Sequence, residues 1–205
     1  MNKLAMTSII FIAAVLAAGC ASVSPRLYIL SPLAKRGGDS SNIRATVGPV
    51  SVPVVADRPQ LVFPAGPGQL RIDEFNRWAA PLKGEIARVV AENLSELLGS
   101  PYISVFPRSL SLNPAYRVTV DVTRFEAVPG VVARLTAVWC VRSAADDRRH
   151  EGAANLSEQL PDNASPAAII DAYNRLLMAL SGDIAGTLRR LAADGAGKEI
   201  PSSGQ

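Results

Sequence analysis

The side chains that most often carry catalysis are scarce in this sequence. Its 205 residues include one histidine, His150, and two cysteines, Cys20 and Cys140. We interpret His150, which lies beside the charged run 146–149, as an exposed histidine without a catalytic role. A serine or cysteine nucleophile therefore has no evident general base, and we expect neither a metal site nor a cofactor held by these groups. The sequence predicts a protein that is not an enzyme.

Other chemical motifs are missing as well. The adjacent carboxylates Asp73-Glu74 and Asp146-Asp147 are better explained as solvated turns than as general acid–base pairs. Phosphate-binding glycine loops and the G-x-S-x-G nucleophile motif are absent from the sequence, and Gly66-Pro67-Gly68 is typical of a hairpin turn. The 21 basic and 18 acidic residues give a formal net charge of +3. That balance argues against nucleic acid as a partner.

Cys20 is notable because of what precedes it. A short positive start ending at Lys3 leads into the nearly uncharged run 4–18, which is shorter than the roughly 20 residues that span a membrane. This pattern predicts a secretory signal peptide over residues 1–19. The sequence Leu16-Ala17-Ala18-Gly19-Cys20 resembles the bacterial lipobox. An ordinary signal peptide with an incidental Cys20, or a retained transmembrane anchor, are the alternatives.

The lipobox resemblance implies a covalent lipid anchor. The Cys20 thiol would carry diacylglycerol, cleavage would follow before it, and the new amine would be acylated. Residues 20–26 would then form a lipidated N-terminus and tether. Because Ala21 is not the aspartate of inner-membrane retention, the resemblance implies the outer membrane of a Gram-negative envelope, facing the periplasm. Cys140 would be left without a disulfide partner, and we interpret it as a small core residue.

The remaining sequence predicts one α/β domain over residues 27–192, followed by a flexible tail over 193–205. Strand patterns occur at 27–30, 44–53, 102–106, 116–123, 131–141 and 150–160, and a hairpin at 61–72. Pro49, inside the second of these strands, predicts a bulge or an edge position. Amphipathic helices are predicted from Pro81 to Gly99 and from Ser165 to Gly195. The first helix should cross over between strands of one sheet.

One apolar stretch has two interpretations. Val54-Val55 and Leu61-Val62-Phe63 lie among prolines and glycines. We favour core packing for them. The alternative is an exposed loop that contacts a partner or lipid.

A series of short motifs follows a recognisable order along the mature chain. These are VGPVSVP at 47–53, DRPQLV at 57–62, RWAAPL at 77–82, AENL at 91–94 and LTAVW at 135–139. Together with the lipobox, they resemble the ABC-type transport auxiliary lipoprotein family (PqiC-like), over about residues 20–191. The resemblance implies a three-layer α/β sandwich similar to the anticodon-binding domain, with a mixed sheet and two amphipathic helices.

The resemblance also implies a function. Members of this family are accessory subunits of MCE-type systems that move lipids or other hydrophobic compounds and support membrane integrity. The implied partners are an MCE-domain tunnel protein and inner-membrane transport subunits, and a homo-oligomer is compatible with a tunnel end. The cargo, the direction of transport and any direct lipid contact are not implied. The alternative is a structural envelope lipoprotein that binds peptidoglycan or assists another outer-membrane machine.

The positions that match the family motifs could serve the fold or a partner. Asp57, Arg58 and Pro59 would form a turn, Trp78 a core anchor, and Pro81-Leu82 a helix start. We favour these architectural roles. Partner contact at Asp57, Arg58, Pro59 and Trp78 is the alternative.

Overall fold

The fold is described from a computed structural model that places residues 24–36, 40–107 and 113–196. The predicted signal peptide, Cys20 and the last nine residues of the predicted tail lie outside these described residues. In chain order the elements are β1 (Arg26–Tyr28), β2 (Ala45–Ser51), β3 (Gln60–Gly66), β4 (Gln69–Trp78), α1 (Leu82–Leu98), β5 (Ile103–Val105), β6 (Tyr116–Val128), β7 (Val132–Ser143), β8 (Arg149–Gln159) and α2 (Pro166–Ala196).

Five strands form the larger sheet, in the order β5-β2-β6-β7-β8. β2 runs parallel to both β5 and β6, and β6, β7 and β8 form an antiparallel meander. The alternation predicted for β6 is confirmed, because Val118, Val120 and Val122 are buried while Arg117 and Asp121 are exposed. Side chains alternate across a strand, so this sheet has one buried face and one solvated face.

Both helices pack on that buried face. α1 contacts β2 and β5, α2 contacts β7 and β8, and the two helices contact each other. Their buried residues recur at three- and four-residue steps, as expected for amphipathic helices. The fully buried side chains with the largest volumes include Leu30, Leu82, Ile86, Leu94, Leu135, Ile169, Leu177, Leu180, Ile184 and Leu188. The predicted α/β sandwich with two amphipathic helices is confirmed.

The remaining three strands form a separate smaller sheet, in the order β1-β4-β3. β1 is parallel to β4, and β3 and β4 form the predicted antiparallel hairpin. Leu61, Phe63 and Trp78 point from this sheet into the common core. The sequence predicted one mixed sheet, whereas these three strands form a second one. The likeness to the anticodon-binding domain stays a prediction.

The helix ends follow the sequence signals. Pro81 occupies the N-cap of α1, and Gly99 adopts the left-handed conformation after its last turn. The Gly99 and Ser100 amides donate to the carbonyls of Glu96 and Ser95, which satisfies the free end of the helix. At the start of α2, the Ser165 hydroxyl oxygen accepts a hydrogen bond from the Ala168 amide at 3.2 Å. α2 extends one residue past Gly195.

Two predictions about strands and crossovers were wrong. The stretch containing Phe75 and Trp78 belongs to β4, which ends four residues before α1 begins. α1 therefore leaves the smaller sheet and enters the larger one, instead of crossing within one sheet. The predicted bulge at Pro49 is confirmed by a register shift between Val47 and Val50. The edge alternative is wrong, because β2 has a paired strand on each side.

Two residues singled out for chemistry lie elsewhere than expected. Cys140 is half-buried on the solvated face of β7, whereas its neighbours Trp139 and Val141 point towards the helices, so it is not a core residue. His150 is half-buried, not exposed, and pairs with Val141 across β7 and β8. Its Nε2 atom is buried and has no hydrogen-bond partner among the described residues.

Candidate functional site at the junction of the two sheets

The loop between β2 and β3 holds the first predicted site residues. The Asp57 amide donates to the Pro53 carbonyl at 3.1 Å, and the Arg58 amide donates to the Ala56 carbonyl at 2.9 Å. The proline before and the proline after this turn restrict the backbone further. Asp57, Arg58 and Pro59 therefore lie on a compact turn, as the architectural interpretation expects.

The second part of the site comes from the end of β4. The Trp78 amide donates to the Pro59 carbonyl at 2.7 Å, and the Ala79 amide donates to the Tyr28 carbonyl at 2.8 Å. These two backbone bonds tie the turn, β4 and β1 together immediately before α1 begins. Side chains separated by about twenty residues in the sequence are thereby held at one place.

The result is an open cleft of about 350 Å³ at the start of α1. It is lined by Asp57, Arg58, Pro59, Trp78, Ala79, Ala80, Pro81 and Leu82. The four residues predicted as possible partner contacts all lie on it. Whether they bind a partner stays a prediction, but the geometry does bring them together.

The charges at the cleft are arranged unequally. Asp57 Oδ2 lies 2.8 Å from Lys83 Nζ on the first turn of α1, so this carboxylate has an ion-pair partner. Arg58 is exposed, and its guanidinium makes no hydrogen bond or ion pair with any described residue. A guanidinium can bind a carboxylate through two parallel hydrogen bonds. The cleft thus combines an apolar floor with one available cation.

Trp78 and Leu82 also border a second space, on the core side of the cleft. This apolar pocket has a volume of about 180 Å³ and lies between the β3 hairpin, residues 123–126 of β6 and the start of α2. The indole of Trp78 packs against Phe125 and Tyr173, with 6.4 Å between ring centroids in each pair. Phe125 and Tyr173 stack at 4.0 Å. These three rings join the smaller sheet, the larger sheet and α2.

The environment of this aromatic cluster affects one ionisable group. Burial raises the pKa of the Tyr173 phenol well above its usual range, and the nearby charge of Glu126 raises it further. The phenol is therefore neutral at physiological pH, and it serves packing rather than proton transfer.

Polar side chains of both helices hold the chain that follows β1. Glu85 Oε2 accepts a hydrogen bond from the Leu30 amide at 3.3 Å, and Arg88 donates to the Leu30 carbonyl at 2.6 Å. Arg88 also pairs with Glu85 at 2.8 Å, and this hydrogen bond raises the pKa of the Arg88 guanidinium. Glu85 lies in the first turn of α1, where a carboxylate interacts favourably with the helix dipole. Because it is buried and accepts from the Leu30 amide, it also holds the segment after β1.

Two asparagines continue this set of contacts. Asn93 Oδ1 accepts hydrogen bonds from the Leu33 and Ala34 amides at 3.0 Å each. Asn174 Oδ1 accepts one from the Ser31 amide at 2.9 Å. We call residues 30–34 and these four side chains, Glu85, Arg88, Asn93 and Asn174, the N-terminal clamp. The sequence did not predict these contacts, and Asn93 is singled out there only as part of the AENL motif at 91–94.

The described part of the chain offers neither a metal site nor a membrane-spanning helix. No group of three or more histidine, cysteine, aspartate or glutamate side chains there could hold a metal ion. None of the helices in those ranges has the length and hydropathy needed to cross a bilayer.

The sequence comparison identifies the class of protein. The model of the family described as "ABC-type transport auxiliary lipoprotein component" matches residues 28–185. This range covers β2 to β8, α1 and most of α2, together with the last residue of β1. The chain therefore belongs to the ABC-type transport auxiliary lipoprotein family, and the resemblance found in its motifs is confirmed. No curated protein matches the chain significantly.

Solved structures share the fold. A protein of Xanthomonas campestris assigned to the DUF330 family is 17% identical, with a TM-score of 0.65 over 83% of this chain and 99% of that one. A crystal structure of an uncharacterized protein is 18% identical, with a TM-score of 0.65 over 80% of this chain and 99% of that one. At this identity the likeness concerns the fold alone.

Proposed function

We propose that this chain is a lipid-anchored accessory subunit of an MCE-type transport system for lipids or other hydrophobic compounds. The observation that carries the proposal is the family match over residues 28–185 directly after a lipobox ending at Cys20. Acyl chains at Cys20 would fix the domain to the periplasmic side of the outer membrane, because two or more chains give stable anchoring where one does not.

The role we propose is non-catalytic. The cleft presents one available guanidinium, a paired carboxylate and apolar side chains, which is a set suited to recognition. Arg58 would bind an acidic side chain of the MCE-domain tunnel protein, and the apolar floor around Pro59 and Leu82 would receive an aliphatic one. No cofactor takes part apart from the covalent lipid. Several copies would surround the tunnel end, since a tubular partner offers equivalent sites around its axis.

The anchor can be tested by metabolic labelling with palmitate. The wild-type chain should incorporate label and fractionate with the outer membrane, and Cys20→Ala should lose the label. A Cys140→Ala variant is the matched control, because it removes the other thiol and should keep the label. Label that persists in Cys20→Ala would contradict the anchor.

The partner can be tested by crosslinking in intact envelopes followed by purification of the full chain. We expect the wild type to recover an MCE-domain protein. Arg58→Glu should lower that recovery by about tenfold or more, because like charges facing each other at an interface cost several kcal/mol. Arg149→Glu is the control, since Arg149 is an exposed arginine of β8 far from the cleft in the sheet order.

The same purification separates this proposal from the structural alternative. Recovery of peptidoglycan fragments without any MCE-domain protein would favour an envelope-structuring lipoprotein. Equal recovery of the MCE-domain protein with Arg58→Glu and with wild type would remove the cleft from the interface but leave the transport role standing.

A further inference from the structure

The smaller sheet has one face that the rest of the described chain covers only in part: its β3 residues border the apolar pocket beside β6, and its apolar β1 and β4 residues are exposed. Leu61, Phe63 and Trp78 point inwards, so the residues alternating with them point outwards. The strand register places Val62 beside Ile72, Pro64 beside Leu70, and Leu27 beside Arg77. We call this the open face; its side chains are Leu27, Gln60, Val62, Pro64, Leu70, Ile72 and Arg77.

The open face is unusually apolar for a solvated surface. Leu27 is 64% exposed, Leu70 54% and Ile72 40%. Two neighbours extend it: Ile29, which follows β1, is 53% exposed, and Phe75, in the irregular part of β4, is 56% exposed. Exposed aliphatic and aromatic side chains grouped in this way are typical of an interaction surface.

The solvated face of the larger sheet offers a direct comparison within the same chain. Its outward side chains on β6 and β7 are mostly polar, with Arg117, Asp121 and Arg142 exposed. Val138, at 47%, is the one large exposed hydrophobic residue that β6, β7 and β8 carry. Between the strands of the two sheets, the exposed large hydrophobic side chains are therefore concentrated in the smaller sheet.

The position of the proposed anchor indicates what contacts the open face. Cys20 lies six residues before Arg26, the first residue of β1, and six extended residues reach about 20 Å at most. β1 belongs to the smaller sheet, and the N-terminal clamp fixes the chain just beyond it to both helices. An acylated Cys20 would therefore keep the smaller sheet next to the lipid headgroups, and the domain could not rotate freely away from them.

The charge distribution points the same way. Residues 20–83 contain eight basic and four acidic side chains, whereas residues 84–205 contain twelve basic and fourteen acidic ones. The part of the chain nearest the anchor is thus net positive and the rest net negative. A net positive charge in the part of a protein next to a membrane favours an anionic phospholipid surface, although Arg77, the basic residue of the open face itself, is paired with Glu74 at 3.5 Å.

We propose that the open face of the smaller sheet lies against the anionic phospholipid surface to which Cys20 is anchored, with Leu27, Leu70, Ile72 and Phe75 in the headgroup region. The proposal rests on the lipid anchor of the proposed function and adds an orientation to it. With the open face on the membrane, the helices and the solvated face of the larger sheet are turned away from that surface.

The test uses the full acylated protein in vesicles of phosphatidylethanolamine and phosphatidylglycerol that contain a phospholipid with a photoactivatable acyl chain. After illumination, the sites of lipid adducts are mapped by mass spectrometry. We expect adducts at residues 27–29 and 70–75. The double variant Leu70→Ser/Ile72→Ser should lower the adduct yield by about tenfold, because it removes two large aliphatic groups from the contact.

Val138→Ser is the matched control, since it removes an exposed aliphatic side chain from the other sheet and should leave the yield unchanged. All of these positions are solvent-exposed, so the variants should fold. Acylated protein whose lipid adducts are spread evenly, or are missing from residues 27–29 and 70–75, would overturn the membrane contact alone. The intact mass of the same sample reports the anchor, and an unmodified Cys20 would overturn the anchor and this orientation together.

Discussion

The two sheets differ in what they leave exposed. The larger sheet buries one face under α1 and α2 and turns a mostly polar face to solvent. The smaller sheet buries Leu61, Phe63 and Trp78 but exposes Leu27, Leu70 and Ile72 on its other side. Apolar burial is the main source of folding free energy. The comparison therefore indicates that the larger sheet and helices stabilise the domain, while the smaller sheet keeps apolar surface available for binding.

The strongest test of this division compares one leucine from each region. Leu180 of α2 is fully buried, whereas Leu70 of β4 is 54% exposed. Leu180→Ala should lower the free energy of unfolding by about 2–5 kcal/mol, and Leu70→Ala should change it by less than about 0.5 kcal/mol. Urea denaturation of both variants checks this. Similar losses would mean that both faces of the smaller sheet contribute to folding.

A glycine in the larger sheet gives the next largest effect. A Cβ atom at Gly152 would lie 2.2 Å from Cζ2 of Trp139 on the neighbouring strand, so the indole occupies the space of the missing side chain. Gly152→Ala should destabilise the domain by about 1–3 kcal/mol through overpacking. Thermal unfolding measured by circular dichroism reports the change.

Gly182 provides the control for that substitution. It lies within α2, and apart from the backbone of its own helix nothing comes within 4 Å of a Cβ placed there. Gly182→Ala should therefore stabilise the helix by about 0.5–1 kcal/mol. A loss at Gly182 as large as that at Gly152 would show that the indole contact is not the cause.

The N-terminal clamp is predicted to have a more local effect. Asn93→Ala leaves the amides of Leu33 and Ala34 without their acceptor, and each unsatisfied group costs about 1–3 kcal/mol where water cannot reach it. Because these amides are only partly buried, water can accept their hydrogen bonds and so offset much of the lost free energy. We expect faster hydrogen exchange at residues 33–34 and a global change of about 1 kcal/mol.

Asn155→Ala is the corresponding control, since Asn155 is an exposed asparagine of β8. It should leave exchange at residues 30–34 unchanged. If hydrogen exchange at residues 33–34 is also unchanged in Asn93→Ala, Asn93 does not hold this segment.

The smallest effect concerns the aromatic cluster that joins the two sheets. Burial raises the folded-state pKa of Tyr173, so its contribution to stability is complete below the unfolded pKa of about 10 and is lost as pH rises above it. Tyr173→Phe should match the wild type near neutral pH. Between pH 10 and 11 the free energy of unfolding should fall by about 1 kcal/mol less in Tyr173→Phe than in the wild type. Denaturation curves measured at each pH check this.

Much of the fold could be predicted because local sequence and tertiary structure agree. The turn at 66–69, the end of α1 at Gly99 and the alternation along β6 were all predicted from residue types and spacing. The division into two sheets could not be predicted, since hydrogen-bond pairing between β1 and β4 spans about fifty residues and leaves no local pattern. Cys140 was misplaced because a short apolar run does not show which face each residue takes.

The candidate site was predictable only in part. Asp57, Arg58, Pro59 and Trp78 were found through the family resemblance, and the structure adds their shared cleft and the unpaired state of Arg58 among the described residues. The clamp was missed because Glu85, Asn93 and Asn174 act on the backbone of a distant segment. Such contacts depend on three-dimensional packing, and a single sequence shows them only as polar residues in apolar surroundings.

The clamp has a mechanical consequence for a protein held by its N-terminus. Tension applied at residue 24 would first load the short parallel pairing of β1 with β4. Beyond that ladder, the pull would reach the side chains of Glu85, Asn93 and Asn174 on two helices. If the N-terminus is tethered, the domain is therefore reinforced at the end where the load enters. A pull transmitted by a bound partner would strain these hydrogen bonds before it unfolded the core.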